Sequence, residues 1–190
     1  MTELIHEINI RRARRALNDE KKVPGEVIKR IMTAATYAPS CSNNQSWRFL
    51  VATENDALKK VFEALTGGNY WFKKAQAAVV VATKLEFGCR SSDRRDYAFF
   101  DCGLAVENLM LQSFKEGLYA HAIAGYDPLK IKEVFKIPDE YIILTLVALG
   151  YPGDDKSLSE KHRNLEHSQR DRKPESDVIC YNAWNLKEPE

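Results

Sequence analysis

Residues 77–84 read Ala-Ala-Val-Val-Val-Ala-Thr-Lys, a nearly continuous apolar run. A strand with one wet face alternates apolar and polar residues, whereas an unbroken run of this length is the pattern of a strand buried on both faces. Other extended segments lie around it. Trp47 to Thr53 (WRFLVAT) reads as a strand, Leu118 to Gly125 as a short one, and Tyr141 to Tyr151 as a second central strand. Between them apolar residues recur at helical spacing. Val27, Ile28, Ile31, Ala34 and Ala35 mark a helix that begins near Pro24 and ends before Pro39. A helix through Leu58, Val61, Phe62 and Leu65 is expected to be capped by Asn55 and stopped by Gly67 and Gly68. Asp127 and Pro128 start another, which Pro138 ends. Residues 2–17 read as an opening helix. The elements alternate irregularly, which points to a mixed α/β layer fold rather than a doubly wound sheet.

The longest helical pattern runs from Tyr97 to Glu116, with Gly117 as its stop. It is apolar around so much of its circumference that burial on several sides is expected, which in a chain of 190 residues suggests a subunit interface. Two polar excursions, Phe87 to Asp93 and Pro152 to Arg172, interrupt the pattern. The last apolar cluster, Val178 to Tyr181 with Trp184, has β character but follows a long polar link, as a tail that pairs with a neighbouring subunit would.

Composition narrows the function classes. Hydrophobic residues make up 44% of the chain and charged residues 29%, and 8 Phe, 8 Tyr and 3 Trp furnish a core. Lys and Arg number 28 against 27 Asp and Glu, a net charge of +1, so no global field draws the protein to nucleic acid or an anionic membrane. No uncharged apolar run approaches the ~18 residues of a membrane span. The N-terminal decapeptide carries Glu3, His6 and Glu7 and lacks the form of a secretory signal. Cys41, Cys89, Cys102 and Cys180 form no C-x-x-C pair and are expected to be reduced thiols in a cytoplasm. His6, His121, His162 and His167 show no metal-ligand spacing, and the last two read as solvated. Phosphate-loop, dinucleotide, nucleophile-elbow and zinc-protease motifs are absent.

Four features carry chemistry. In Arg11-Arg12-Ala13-Arg14-Arg15, a helix would put Arg11 and Arg15 on one face, where two guanidinium forks suit a phosphate monoester; a solvated basic face is the plainer alternative. The loop Ala38-Pro39-Ser40-Cys41-Ser42-Asn43-Asn44-Gln45-Ser46-Trp47 is dense in small side chains and amides, enough to hold a heteroaromatic ring or simply to connect helix to strand. Cys41 there is either a thiol with a catalytic role or a small filler. Gly125 lies between an extended segment and a capped helix, where glycine permits close approach to a ligand or serves a plain turn. Arg170-Asp171-Arg172-Lys173-Pro174 is a second basic cluster, which converges with the first on one phosphate or forms a charged tail.

In this order, from about Ile8 to Trp184, these features resemble the nitroreductase family of FMN-dependent oxidoreductases. Arg11 to Leu17 is similar to that family's Arg-Arg-Ser-x-Arg-x-Phe, and Ala38 to Trp47 to its Ala-Pro-Ser-x-x-Asn-x-Gln-Pro-Trp, the most specific match. Asp101-Cys102-Gly103-Leu104-Ala105, Ala124-Gly125-Tyr126-Asp127, Ile137-Pro138, Ala148 to Pro152 and Arg170-x-Arg172-Lys173-Pro174 follow in the family's order.

The resemblance implies an α+β three-layer fold, a mostly antiparallel central sheet flanked by helices, with a C-terminal strand donated to the partner subunit. Residues 1–175 would form the FMN-binding domain and 176–190 an extension that crosses to the partner. It implies a homodimer with FMN at the interface. Arg11, Arg12, Ala13, Arg15, Arg170 and Arg172 would hold the phosphate and the pyrimidine edge. Pro39, Ser40, Cys41 and Asn43 would come from the other subunit, Asn69 would reach the pyrimidine or ribityl group, and the Ala124 and Gly125 amides would face flavin N5. NADH or NADPH would supply electrons to nitroaromatic, quinone or similar flat acceptors by ping-pong hydride transfer, with no protein nucleophile, metal, nucleic acid or membrane. A specialised member acting on one metabolite, or a flavin-binding redox sensor with little turnover, is the alternative. Three departures stand out: Ala13 for Ser, Ser46 for Pro, which is expected to loosen the turn, and Ala124 for the Glu of many members. A lysine near the flavin carbonyl has only Lys73 and Lys74 as candidates.

Overall fold

The computed structural model describes residues 4–93 and 95–186. A four-stranded antiparallel sheet is built from β1 (Arg48–Ala52), β2 (Ala77–Thr83), β3 (Tyr119–Ile123) and β4 (Ile142–Gly150) in the order β1-β2-β4-β3. Its helices are α1 (His6–Ile10), α2 (Gly25–Thr36), α3 (Asn55–Glu63), α4 (Tyr97–Lys115), α5 (Pro128–Phe135) and α6 (Glu160–His167).

The 77–84 run is buried at every strand position, as read from the sequence, and the structure supplies the reason. Successive side chains of a strand point to opposite faces. Ala78, Val80 and Ala82 pack with Leu58, Val61 and Phe72 on one side, the side of α3 and α5. Ala77, Val79 and Val81 pack with Ile31, Ala105 and Leu109 of α2 and α4 on the other. Leu146 and Ala148 join the first core, Val147 and Leu149 the second. Both central strands are thus covered by helices even though the sheet is antiparallel.

Helix α4 buries Asp101, Ala105, Leu109 and Ser113, a stripe at i, i+4 spacing. Phe99 and Phe100 on its first turn are 42% and 61% exposed, so burial is not all-round within one chain. Gly117 adopts φ 77° after the helix and its preceding turn, where glycine alone carries no Cβ penalty. At α5 the Asp127 side chain accepts from the Leu129 and Lys130 N–H groups, with Pro128 in the first turn, as expected.

Several element readings are corrected. The opening helix ends at Ile10, and residues 11–16 are not helical. Its expected first residues, 2 and 3, lie outside the described residues, as do 187–190 of the tail. Partners distant in the chain claim the backbone of residues 15–18. The Glu166 carboxylate accepts the N–H groups of Arg15 and Ala16, Leu17 bridges Pro152, and Asn18 N–H donates to Tyr151 O at 2.9 Å. Helix α3 starts after Glu54, with no side-chain cap from Asn55, and ends at Glu63; Gly67 and Gly68 open a 3-10 segment instead. Helix α5 stops at Phe135, with Lys136 left-handed, two residues before Pro138. The 152–172 excursion contains α6 and buries Leu158 and Glu166. Residues 178–186 form no strand within the described chain, and Val178, Tyr181 and Trp184 are exposed. No helix among the described residues is long and apolar enough to cross a membrane.

Candidate functional site

The two basic clusters, 159 positions apart in the chain, meet in space. Arg170 Nη2 donates to the carbonyls of Arg11 (2.6 Å), Asn9 (2.9 Å) and Ile8 (3.2 Å). These include carbonyls at the end of α1, which a helix leaves without partners of its own and toward which its dipole favours a cation. Arg12 Nη2 donates in turn to the Ser168 carbonyl at 2.9 Å. The Arg170 guanidinium is held below its ordinary value, first by loss of solvent and then by repulsion from Arg172, Arg11 and Arg12. A set of like charges gathered in one place is relieved by an anion.

Arg12 and Arg170 therefore join the chain's two ends. Among the described residues Arg11 keeps most of its fork, with only a 3.5 Å contact from Nε to Glu107 of α4. The expectation that Arg11 and Arg15 share a helical face is overturned, because the backbone between them is extended or turned. Arg15 lies instead in a second subcluster, its Cζ 5.9 Å from the centroid of the Trp71 ring, with desolvation lowering its pKa against the attraction of Glu166 and Tyr70. Its Nη1 donates to the Ala13 carbonyl at 3.3 Å. Ala13 itself is exposed, and Arg172 donates to the neighbouring Asp171 carbonyl at 2.6 Å.

Trp71 has His121 stacked on it at 4.6 Å between ring centroids. His121 Nδ1 is 3.0 Å from the Arg14 carbonyl. A carbonyl only accepts, so Nδ1 carries the proton in the neutral ring. Burial pushes this imidazole down to about 4 from 6.5, outweighing the Arg14 bond. The sign follows: the folded state resists protonating a ring that the unfolded chain protonates readily. The stability linked to neutral His121 is complete above pH 6.5 and is lost as pH falls toward 4, amounting to about 3 kcal/mol across that window. Urea unfolding at pH 7 and pH 4.5 is expected to show the loss, and His121→Gln to reduce the difference. An equal pH difference in that variant would remove His121 as the cause.

His162, read as solvated from the sequence, is half-buried and stacked on Tyr70 at 5.4 Å, with Nδ1 3.1 Å from the Tyr70 oxygen. His167 is exposed, as expected, and its Nε2 is 2.8 Å from Asp155 Oδ2. Beside this wall Asn69 Nδ2 donates to the Gly125 carbonyl at 2.7 Å, and Thr66 N–H donates to the same oxygen at 3.1 Å. A Cβ on Gly125 would collide with the Asn69 amide and stand 2.8 Å from the Thr66 hydroxyl. Close approach is therefore why residue 125 is glycine. Ala124 is exposed at the end of β3. Lys73 is exposed, and Lys74 pairs with Asp19 at 3.8 Å.

The loop of Pro39, Ser40, Cys41 and Asn43 is the second part of the candidate site. It sits over the N-terminal half of α4. Asp101, 1% exposed, accepts the Cys41 N–H at 3.1 Å through Oδ1, and its Oδ2 is 2.8 Å from the Ser46 hydroxyl. Thr83 Oγ1 donates to the Ser46 carbonyl at 2.7 Å. The expectation that Ser46 loosens the turn is thus reversed: the serine is fully buried and tied from three sides, the third being the Phe87 carbonyl at 3.2 Å. The reading of four free thiols is also corrected. Cys41 is disulfide-bonded to Cys89, with Cα atoms 5.9 Å apart, while Cys102 is free and buried, its thiol pushed up to about 11, and Cys180 is free.

Within one chain the two parts diverge. Asp101 anchors the loop and Glu107 contacts Arg11, both from α4. Six residues of α-helix separate them by ~9 Å and ~240° of rotation. Asp101 is recognisable in sequence as a carboxylate inside an apolar helix. Glu166, which orders the arginine segment, carries no such signal within its charged surroundings. Among the described residues no cluster of His, Cys, Asp and Glu could hold a metal ion.

Comparison with known proteins gives the family of the chain. The sequence profile of the "Nitroreductase family" matches residues 8–87 and 63–151. An Archaeoglobus fulgidus protein provisionally named NADH dehydrogenase/NAD(P)H nitroreductase is 33% identical over 164 residues, covering 84% of this chain and 91% of that protein. A similarly named Methanothermobacter thermautotrophicus protein is 31% identical over 160 residues, covering 80% of this chain and 79% of its own length. A crystal structure described as an oxidoreductase containing FMN superposes with TM-score 0.86 at 28% identity, over 98% of this chain and 95% of that one. With two-thirds of its length and more matched by the family, and with the three-layer antiparallel architecture in place, this chain belongs to the nitroreductase family.

Proposed function

We propose that this protein is an FMN-dependent NAD(P)H oxidoreductase that reduces nitroaromatic, quinone or related flat acceptors. The observation that carries the reading is the convergence of Arg11, Arg12, Arg170 and Arg172 from the two ends of the chain, with Arg15 on the adjoining Trp71 wall. Planar guanidinium forks match phosphate oxygens two at a time. The donor set therefore fits a flavin mononucleotide better than it fits a neutral ring.

In this reading Arg11 and Arg172 hold the phosphate, while Arg12 and Arg170 fix the two chain ends that carry them. Arg15 lies toward the pyrimidine edge, where a cation stabilises negative charge. Asn69 and Gly125 would form a close-packed shelf for the ring, with the Ala124 and Gly125 amides as donors to its N5 edge. FMN, when bound, supplies the hydride chemistry, and the protein supplies position and electrostatics. Donor and acceptor would take turns in the same stacking position, which gives ping-pong kinetics.

Pro39, Ser40, Cys41 and Asn43 are proposed to complete the site from a second copy of the chain. The divergence of the two parts around α4 supports that assignment. So do the exposed apolar residues Ile5, Tyr37, Phe99 and Phe100, which a homodimer would cover. Residues 1–175 would form the FMN-binding unit, and 176–190 would cross to the partner, burying Val178, Tyr181 and Trp184.

The visible absorption spectrum of the purified protein tests this reading. After FMN addition and gel filtration, flavin is expected to be retained at one per chain and bleached by NADH or NADPH without oxygen. A colourless protein would overturn it. Retained flavin with no steady NAD(P)H oxidation in the presence of quinone would favour the sensor alternative.

A further inference from the structure

The 40–46 loop is held in a conformation that its own residues disfavour. Ser42, Asn43 and Gln45 sit at φ of 51°, 54° and 50°, the left-handed region that asparagine tolerates but serine and glutamine avoid. Such a backbone persists only where its surroundings over-determine it. Two of the restraints are hydrogen bonds: Ser40 Oγ accepts the Gln45 N–H at 2.9 Å, and Asp101 accepts the Cys41 N–H. A further restraint is covalent, the bond from Cys41 to Cys89.

Cys89 is a firm anchor. Its carbonyl accepts the Tyr97 N–H at 3.3 Å, Arg90 bridges Asp96, and a Cβ on Gly88 would collide with the Ala98 backbone. The bond thus ties the loop to the first turn of α4. Within one chain both cysteines are half-buried, so an attacking thiolate reaches them when the ring site beside the loop opens. The two sulfurs also differ. Asn44 Nδ2 donates to Cys89 Sγ at 3.7 Å, and the Ser42 hydroxyl lies 3.6 Å from it, so polar hydrogens are placed to stabilise a thiolate released there. A better-stabilised thiolate is the better leaving group in disulfide exchange.

We infer that the Cys41–Cys89 bond is a reversible thiol switch on this loop: closed, it holds the left-handed backbone in place, and opened by a dithiol it frees the loop and weakens its grip on FMN. The FMN half of this statement rests on the function proposed above. In the opening step a reductant thiolate attacks Cys41 Sγ, the Cys41–Cys89 bond breaks, and Cys89 leaves as thiolate and takes a proton. The second thiol of the reductant then attacks the mixed disulfide and releases Cys41 as thiolate, which is protonated in turn. Two electrons and two protons pass to the protein, and the reductant becomes a disulfide.

The full-length protein, purified in air and loaded with FMN, is compared with and without dithiothreitol. Alkylation followed by peptide mass spectrometry is expected to label Cys41 and Cys89 only after reduction, and Cys180 in both samples. Hydrogen exchange of the 41–45 amides is expected to quicken at least tenfold on reduction, and FMN release at least fivefold. Cys89→Ser should match the reduced protein under both conditions. Labelling of Cys41 and Cys89 in the unreduced protein would overturn the proposal, as would amide exchange indifferent to reduction. Faster exchange with unchanged FMN release would overturn the link to the ligand. A protein that takes no FMN in either state would overturn the cofactor reading, while amide exchange would still decide the switch.

Discussion

Arg11→Ala combined with Arg15→Ala is expected to yield a folded, colourless protein. Among the described residues the Arg11 guanidinium pairs only with Glu107, at 3.5 Å, and that residue is 44% exposed at its side chain, so its loss removes little from the fold. Arg15 donates to one local carbonyl and lies over Trp71. Both guanidinium groups are thus spared for a ligand. A hydrogen bond to a charged group contributes ~1.5–3 kcal/mol, so losing one at each position weakens FMN binding by ~100- to 10,000-fold. Fluorescence titration of the apoprotein with FMN measures the change, and a thermal melt close to that of the parent shows that the fold survived. Binding within threefold of the parent would show that Arg11 and Arg15 do not hold FMN.

The second large effect concerns stability. Glu166 is 4% exposed, and its carboxylate accepts the N–H groups of Arg15 and Ala16, while Arg14 Nη1 lies 3.4 Å from Oε2. Removing the carboxylate leaves the Arg15 and Ala16 N–H groups without an acceptor at about 1–3 kcal/mol each, so a cost of about 2–5 kcal/mol is expected, while Arg14 loses less because its side chain is 27% exposed and still donates to the Glu166 carbonyl. Glu166→Ala is expected to lower the unfolding free energy in urea by that amount. Glu166→Gln keeps an acceptor for the two amides and should recover part of it. The same change would disorder the 11–16 segment, so Glu166→Ala should also lose FMN, by a route that never touches the ligand. A loss below ~1 kcal/mol, the scale of one ordinary hydrogen bond, would mean that the segment holds itself in place.

The layered architecture was legible in the sequence because burial leaves a periodic record. The 77–84 run, the i, i+4 stripe of α4 and the Asp127-Pro128 start each reflect forces acting within one element and its immediate cover. The arginine pairs and the amide-rich loop were legible as motifs, since phosphate and planar rings demand particular donors. What those motifs do in space was not legible. A helix through residue 17 is a fair reading of local propensity, yet Glu166, some 150 positions away, takes the backbone N–H groups of Arg15 and Ala16. Ser46 looked like the loss of a stiffening proline until Asp101 proved to be its partner.

By itself, then, the sequence determined the four strands, helices α2 to α5 and the family, because each depends on residue type and short-range spacing. Only the tertiary structure decided which arginines anchor chain ends and which keep their forks, why residue 125 must be glycine, and that Cys41 is bonded to Cys89. Those outcomes depend on groups that are distant along the chain and meet only when the sheet and its two helical layers close on one another. A local pattern carries no record of such meetings.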